Sequence, residues 1–158
     1  MCGRVLILLE STHGAPGAQQ QDDVLYWVRG GSDPTFQRIY GACAIQGESR
    51  LEFFDQFACM NLVPEAIGPT NTTKVKAVQL KEGARTLPER LQTLCPRVVW
   101  IASKAVQKYA SQIVETQGAV VVLSDHPKAW HSDLKFLQVA WERVSKAAAD
   151  TSVSMRFQ

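Results

Sequence analysis

Cysteine is scarce and scattered in this chain. Its four residues, Cys2, Cys43, Cys59 and Cys95, stand far apart, with no CxxC pair and no histidine at zinc-finger spacing. Neither a zinc site nor an iron–sulfur cluster is signalled by that arrangement. Reduced, mostly buried thiols are expected instead, as in an intracellular protein. Long apolar runs are missing too, since none approaches the roughly 18 residues of a membrane span. The opening MCGRVLILLE carries one arginine and a short apolar run closed by an acid, too brief for a cleavable leader, and reads as a first strand. There is no P-loop, and no GxGxxG follows that strand. Expected, then, are no metal, no cofactor and no membrane partner.

What remains is an ordinary globular composition, with 46% hydrophobic and 20% charged residues in 158. That length suits one domain able to bury roughly two thirds of its unfolded surface. We expect a single domain over residues 1–150, monomeric, with the tail TSVSMRFQ frayed. The net charge of +2 conceals an asymmetry. Residues 1–73 hold four basic and eight acidic side chains, a balance of −4, whereas residues 74–108 hold eight basic (Lys74, Lys76, Lys81, Arg85, Arg90, Arg97, Lys104, Lys108) against Glu82 and Glu89, a balance of +6. If those charges share a face, a polyanion can dock there. A solvated helix face accounts for them equally well.

Four short runs rich in β-branched residues read as strands buried on both faces: RVLILL (4–9), FACMNLV (57–63), RVVWIA (97–102) and AVVVLS (119–124). Segments with helical spacing separate them. Leu80, Ala84, Leu87, Leu91 and Leu94 form one stripe over 79–94, which Pro88 interrupts, so that the helix can restart there with proline in its first turn. Ser103 is a good N-cap for 103–114, where Ala105, Val106, Tyr109, Ala110 and Ile113 give the buried face, and Gly118 is a stop. A last helix is expected over 132–149 with Ser132 as its cap. Residues 18–55 are the least readable, although a helix is plausible over 35–45 with Phe36, Ile39, Tyr40 and Cys43 on one side. Alternating strands and helices give βαβ units, hence an α/β fold: a three-layer α/β/α sandwich with a central four-stranded parallel sheet.

Ligands of such sheets bind beyond the carboxyl ends of the strands. Four tips therefore matter. ESTHGAPG offers Glu10, Thr12 and His13 beside glycines that bring backbone N–H groups close, and Glu10 is placed to hold a water. MNLVPE carries Asn61, whose amide offers the donor and acceptor that a nucleobase edge requires, although an asparagine there is also a common turn former. ASKAV starts a helix whose free N–H groups, with Ser103 and Lys104, suit a phosphate. SDHPKAW puts His126 just past a strand, with Lys128, Trp130 and His131 following.

In order and spacing, LLESTHGAPG, FACMNLVPEAIGPTN, LPERLQTLCPRVVWIASKAVQKYA and VVVLSDHPKAW resemble the uracil-DNA glycosylase superfamily, nearest its mismatch-specific and single-strand-selective branches. PTFQRIYGACAI is similar to the aromatic helix before the family's second motif. The resemblance covers about Phe36 to Trp130. It implies a DNA-binding hydrolase of base excision repair that flips a base and cleaves its N-glycosidic bond. Asn61 would read the base and His126 would hydrogen-bond its carbonyl, with Glu10 or His13 holding the water. Ser103 and Lys104 would hold a DNA phosphate, with Lys128 nearby, and Trp130 would be the wedge. Phe36 is the expected stacking ring, with Tyr26, Trp27 and Tyr40 as alternatives. A second expectation is a glycosylase-like domain without catalysis that binds DNA or a protein partner.

Overall fold

The computed structural model describes residues 5–11, 34–65, 67, 74–127 and 134–153. Within them the chain runs β1 (Val5–Leu9), α1 (Pro34–Cys43), α2 (Arg50–Phe54), β2 (Ala58–Asn61), α3 (Ala77–Leu94), β3 (Val98–Ile101), α4 (Lys104–Thr116), β4 (Val120–Leu123) and α5 (Lys135–Val153). The strands form one sheet in the order β2-β1-β3-β4, every pair parallel. Helices cover both faces, giving the three-layer α/β/α architecture. No described helix is long and apolar enough to cross a membrane.

Alternation along β1 divides the core in two. Val5, Ile7 and Leu9 face α1, α2 and α5, where Phe36, Ile39, Phe53, Leu137 and Val144 pack around Trp100. Leu6 and Leu8 face α3 and α4, meeting Leu80, Leu87, Leu91, Val106 and Ala110. The chain moves from β1 to β2 over the first face, then back across β1 to β3 over the second, and on to β4 over the second again. Direction and face reverse together, as crossovers of one hand require.

The sequence pattern holds best at the sheet centre. β1 and β3 are buried on both faces, but β4 is an edge strand with Val120 42% and Leu123 44% exposed, and β2 is only half-buried over most of its length. β2, β3 and β4 are shorter at both ends than the apolar runs that mark them, while β1 ends with its run at Leu9. Pro88 does not divide its helix. α3 is continuous through it, because the stripe Leu80, Gly83, Ala84, Leu87 and Leu91 stays buried on both sides of the proline and outweighs the loss of one N–H bond. Ser103 caps α4 as expected, and Gly118 follows its end at φ +80°, donating its N–H to Glu115 O at 2.9 Å. α5 includes residues 151–153, expected in the tail, while its expected cap Ser132 lies outside the described residues.

α2 was not anticipated from the sequence. It is held by a capping box: Ser49 Oγ accepts from the Glu52 N–H at 3.3 Å, and the Ser49 N–H donates to Glu52 Oε2 at 2.8 Å. The Ser49 hydroxyl also donates to Glu52 Oε2 at 2.6 Å, and this bond first, then the one from the Ser49 N–H, holds the Glu52 carboxyl below its ordinary value.

α3 touches the chain just past β2 at Gly83. Alanine normally favours a helix interior over glycine by about 1 kcal/mol. Here a Cβ would stand 2.3 Å from the Leu62 carbonyl oxygen, backbone against backbone. Gly83→Ala is therefore expected to lower stability by about 1–3 kcal/mol, read as a fall in the urea midpoint at unchanged slope. A raised midpoint would mean that the helix and the strand tip do not touch.

Candidate functional site

Because the strands are parallel, all four tips emerge at one edge of the sheet, and the crossover direction reverses between β1 and β3. Such a switch point leaves a crevice between the two connections. Two expected site residues meet there. Glu10, the residue after β1, accepts a hydrogen bond at Oε2 from Ser103 Oγ at 3.0 Å. Ser103 is buried and its Oγ also accepts the Val106 N–H at 3.5 Å, so the one hydroxyl caps α4 and tethers the carboxylate. A carboxylate beside a helix N-terminus is favoured by the unpaired N–H groups there.

The neighbouring tip adds a second pair. Lys104 Nζ lies 3.2 Å from Asp125 Oδ1, the lysine mostly exposed and the aspartate half-buried. Exposed pairs of this kind stabilise by only about 0–1 kcal/mol, so the contact opens easily. His126 follows, half-buried, with Pro127 buried behind it. Ser124 anchors this tip from within: Trp100 Nε1 donates to its Oγ at 2.8 Å, and Gln107 Nε2 donates to its carbonyl at 2.8 Å. Neither Ser124, Asp125 nor Gln107 was singled out from the sequence. Their signal is only that SDHP and the α4 stripe bring them to one edge.

Asn61 is the last residue of β2 and pairs in register with Leu9. It is 4% exposed. Alternation with Cys59, which packs on the Trp100 side of the sheet, places Asn61 on that side of the edge. Past it, the Leu62 N–H donates to Leu9 O at 2.8 Å and the Val63 N–H to Glu10 O at 3.0 Å, so the tips of β1 and β2 stay joined up to the acid.

The structure thus gathers Glu10, Asn61, Ser103, Lys104 and His126 at one edge. Phe36 is buried in the core with its ring edge-on to Phe54, centroids 5.5 Å apart. Tyr40 packs edge-on to Phe53 and donates its hydroxyl to Glu48 O. His13, Tyr26, Trp27, Lys128, Trp130 and His131 lie outside the described residues.

The basic segment is not one free face. Arg90 donates to backbone carbonyls, Arg85 is chelated by Glu82 at 2.6 Å and Lys104 faces Asp125. Of the cysteines, burial pushes the Cys43 and Cys59 thiols up to about 12, whereas Cys95 is exposed at the end of α3. The expectation of mostly buried thiols therefore fails at Cys95, because the turn after α3 is at the surface. A cavity of about 350 Å³, lined by Leu91, Cys95, Pro96, Gln117 and Ala119, sits at the opposite, amino end of the strands. Among the described residues, no group of three or more histidine, cysteine or acidic side chains is placed to hold a metal.

No protein-family model matches the chain, and no curated protein matches it either.

The Ser103–Glu10 bond is measurable. Ser103→Ala is expected to cost about 1–2 kcal/mol through loss of the cap and the tether. A double-mutant cycle with Glu10→Ala, followed by urea unfolding, should give a coupling of about 0.5–2 kcal/mol. Additive effects would show that the two side chains do not interact.

Proposed function

We propose that this protein is a DNA glycosylase-like hydrolase acting on the N-glycosidic bond of uracil or a related damaged or mismatched base. The observation that carries the reading is the Glu10–Ser103 pair at the β1/β3 switch point, with Asn61 and His126 at the tips on either side.

In this reading Glu10 holds the attacking water. Its Oε2 is tethered to Ser103, which fixes the carboxylate and leaves Oε1 for the water proton. As the C1′–N bond breaks, its electron pair passes to the base, and the Asn61 amide and His126 stabilise that anion. The water oxygen bonds to C1′ as its proton passes to Glu10. Donors already fixed at the site of developing charge need no reorganisation, and most of the acceleration comes from them. The burial of Asn61 supports this role, because a hydrogen bond to an anion strengthens where water is excluded.

One observation favours a second reading, a domain that binds DNA or a protein partner without catalysis. The groups expected to hold a phosphate, Ser103 and Lys104, face the carboxylates of Glu10 and Asp125. A phosphate must displace Asp125 from Lys104 and approach Glu10 against like charge.

Labelled single- and double-stranded oligonucleotides bearing U, G·U, G·T or hypoxanthine, treated with protein and then alkali, separate the two. The first reading expects strand breaks whose rate falls by about 100-fold or more in Asn61→Ala and His126→Ala. Folded protein that yields no breaks on any substrate would reject it in favour of the second.

A further inference from the structure

Arg90 has no part in the chemistry just described, yet two of its hydrogen bonds go to the tip that carries Asn61. From α3, its Nη1 donates to Asn61 O at 2.8 Å, and its Nη2 donates to Leu62 O at 2.8 Å and to Gly83 O at 2.9 Å. Its Nε is buried with no partner among the described residues. Such a placement is costly for a cation, and three carbonyls compensate only in part. Desolvation lowers its pKa, but a guanidinium remains charged at neutral pH.

The geometry of the acceptors shows what the arginine accomplishes. Consecutive carbonyls of an extended strand point to opposite sides, and here two consecutive carbonyls, Asn61 and Leu62, turn to one guanidinium. The chain must therefore leave the strand at that peptide, and β2 ends at Asn61. Gly83 brings the helix backbone against the same peptide, with no room for a Cβ beside Leu62 O. From the other side, Leu9 O and Glu10 O accept the N–H groups of Leu62 and Val63. The bend after Asn61 is thus gripped between α3 and the β1 tip.

We propose that Arg90 is a positioning residue, whose fork sets the direction in which Asn61 leaves β2 and so aims its amide at the base. This rests on the functional reading above. Lysine presents a single point charge and cannot span both carbonyls, so Arg90→Lys tests the fork while keeping charge and most of the volume.

Two readouts decide the matter in Arg90→Lys and Arg90→Ala, with Arg90→Lys as the safeguard should the alanine variant not fold. Amide exchange at Leu62 and Val63, taken relative to Val99 and Ile101 in β3, should accelerate about tenfold or more, because local opening is separable from global unfolding. Single-turnover base release should slow by about tenfold to a hundredfold with oligonucleotide affinity little changed, as misaimed groups cost rate rather than binding. Exchange that rises equally at Leu62, Val63 and β3 would reduce Arg90 to a general stabiliser and overturn the proposal. So would faster local exchange with undiminished base release. Wild-type protein that releases no base defeats the functional reading and with it the aiming role, while the exchange arm still shows separately whether the fork holds the bend.

Discussion

The pairing of β1 with β3 is the contact on which the other layers depend. Val5–Leu8 run beside Val98–Ile101 in parallel register, and both strands are buried on both faces. Each fully buried aliphatic side chain contributes about 1.5–3 kcal/mol only if something apolar covers it. Two covering layers are therefore obligatory, and they come from α1, α2 and α5 on one side and from α3 and α4 on the other. Parallel pairing fixes the rest, because each return to the same end of the sheet needs a crossover long enough to hold a helix. The gathering of four tips at one edge follows from this core.

Core packing alone would leave the residues just beyond each strand loosely aimed. What distinguishes this edge is that three of the tips are tied back by polar contacts to buried groups. Ser124 is held by the indole of Trp100 and the amide of Gln107, Glu10 by Ser103, and the Asn61–Leu62 peptide by Arg90. Each tie satisfies a polar group that would otherwise be expensive in a half-buried place. The same hydrogen bonds that stabilise Glu10, Asn61 and Ser124 also restrain where they point.

The parts legible in the sequence were those governed by local periodicity or local stereochemistry. Apolar runs marked every strand, Ser103 marked the start of α4 and Gly118 its end, because those effects act within a few residues. The α2 cap was also legible in principle: Ser49 and Glu52 have capping-box spacing, but they fall in a stretch without a clear apolar stripe. Arg90 belongs in sequence to the basic segment, and nothing in its neighbours distinguishes it from Arg85. One is chelated by Glu82 at the surface and the other is turned toward Asn61, a difference set by which side of α3 meets the β2 tip. Phe36 shows the same limit. An aromatic on an amphipathic helix suits a stacking platform or a core, and its ring is committed to Phe54.

The electrostatics of the edge narrow what it can bind. Glu10 and Asp125 bring two carboxylates to the tips of β1 and β4, and Lys104 already faces one of them. A compact anion would need to outcompete Asp125 for Lys104 while lying near Glu10. On the proposed reading, a neutral ring at Asn61 would carry no charge for those carboxylates to repel, and burial there would strengthen each hydrogen bond it makes. The Lys104–Asp125 pair, its lysine mostly exposed, is weak enough for a phosphate at the rim to open it. On that reading, an uncharged base would be directed inward at Asn61 and the charged backbone would be left at the rim, beside the Lys104–Asp125 pair.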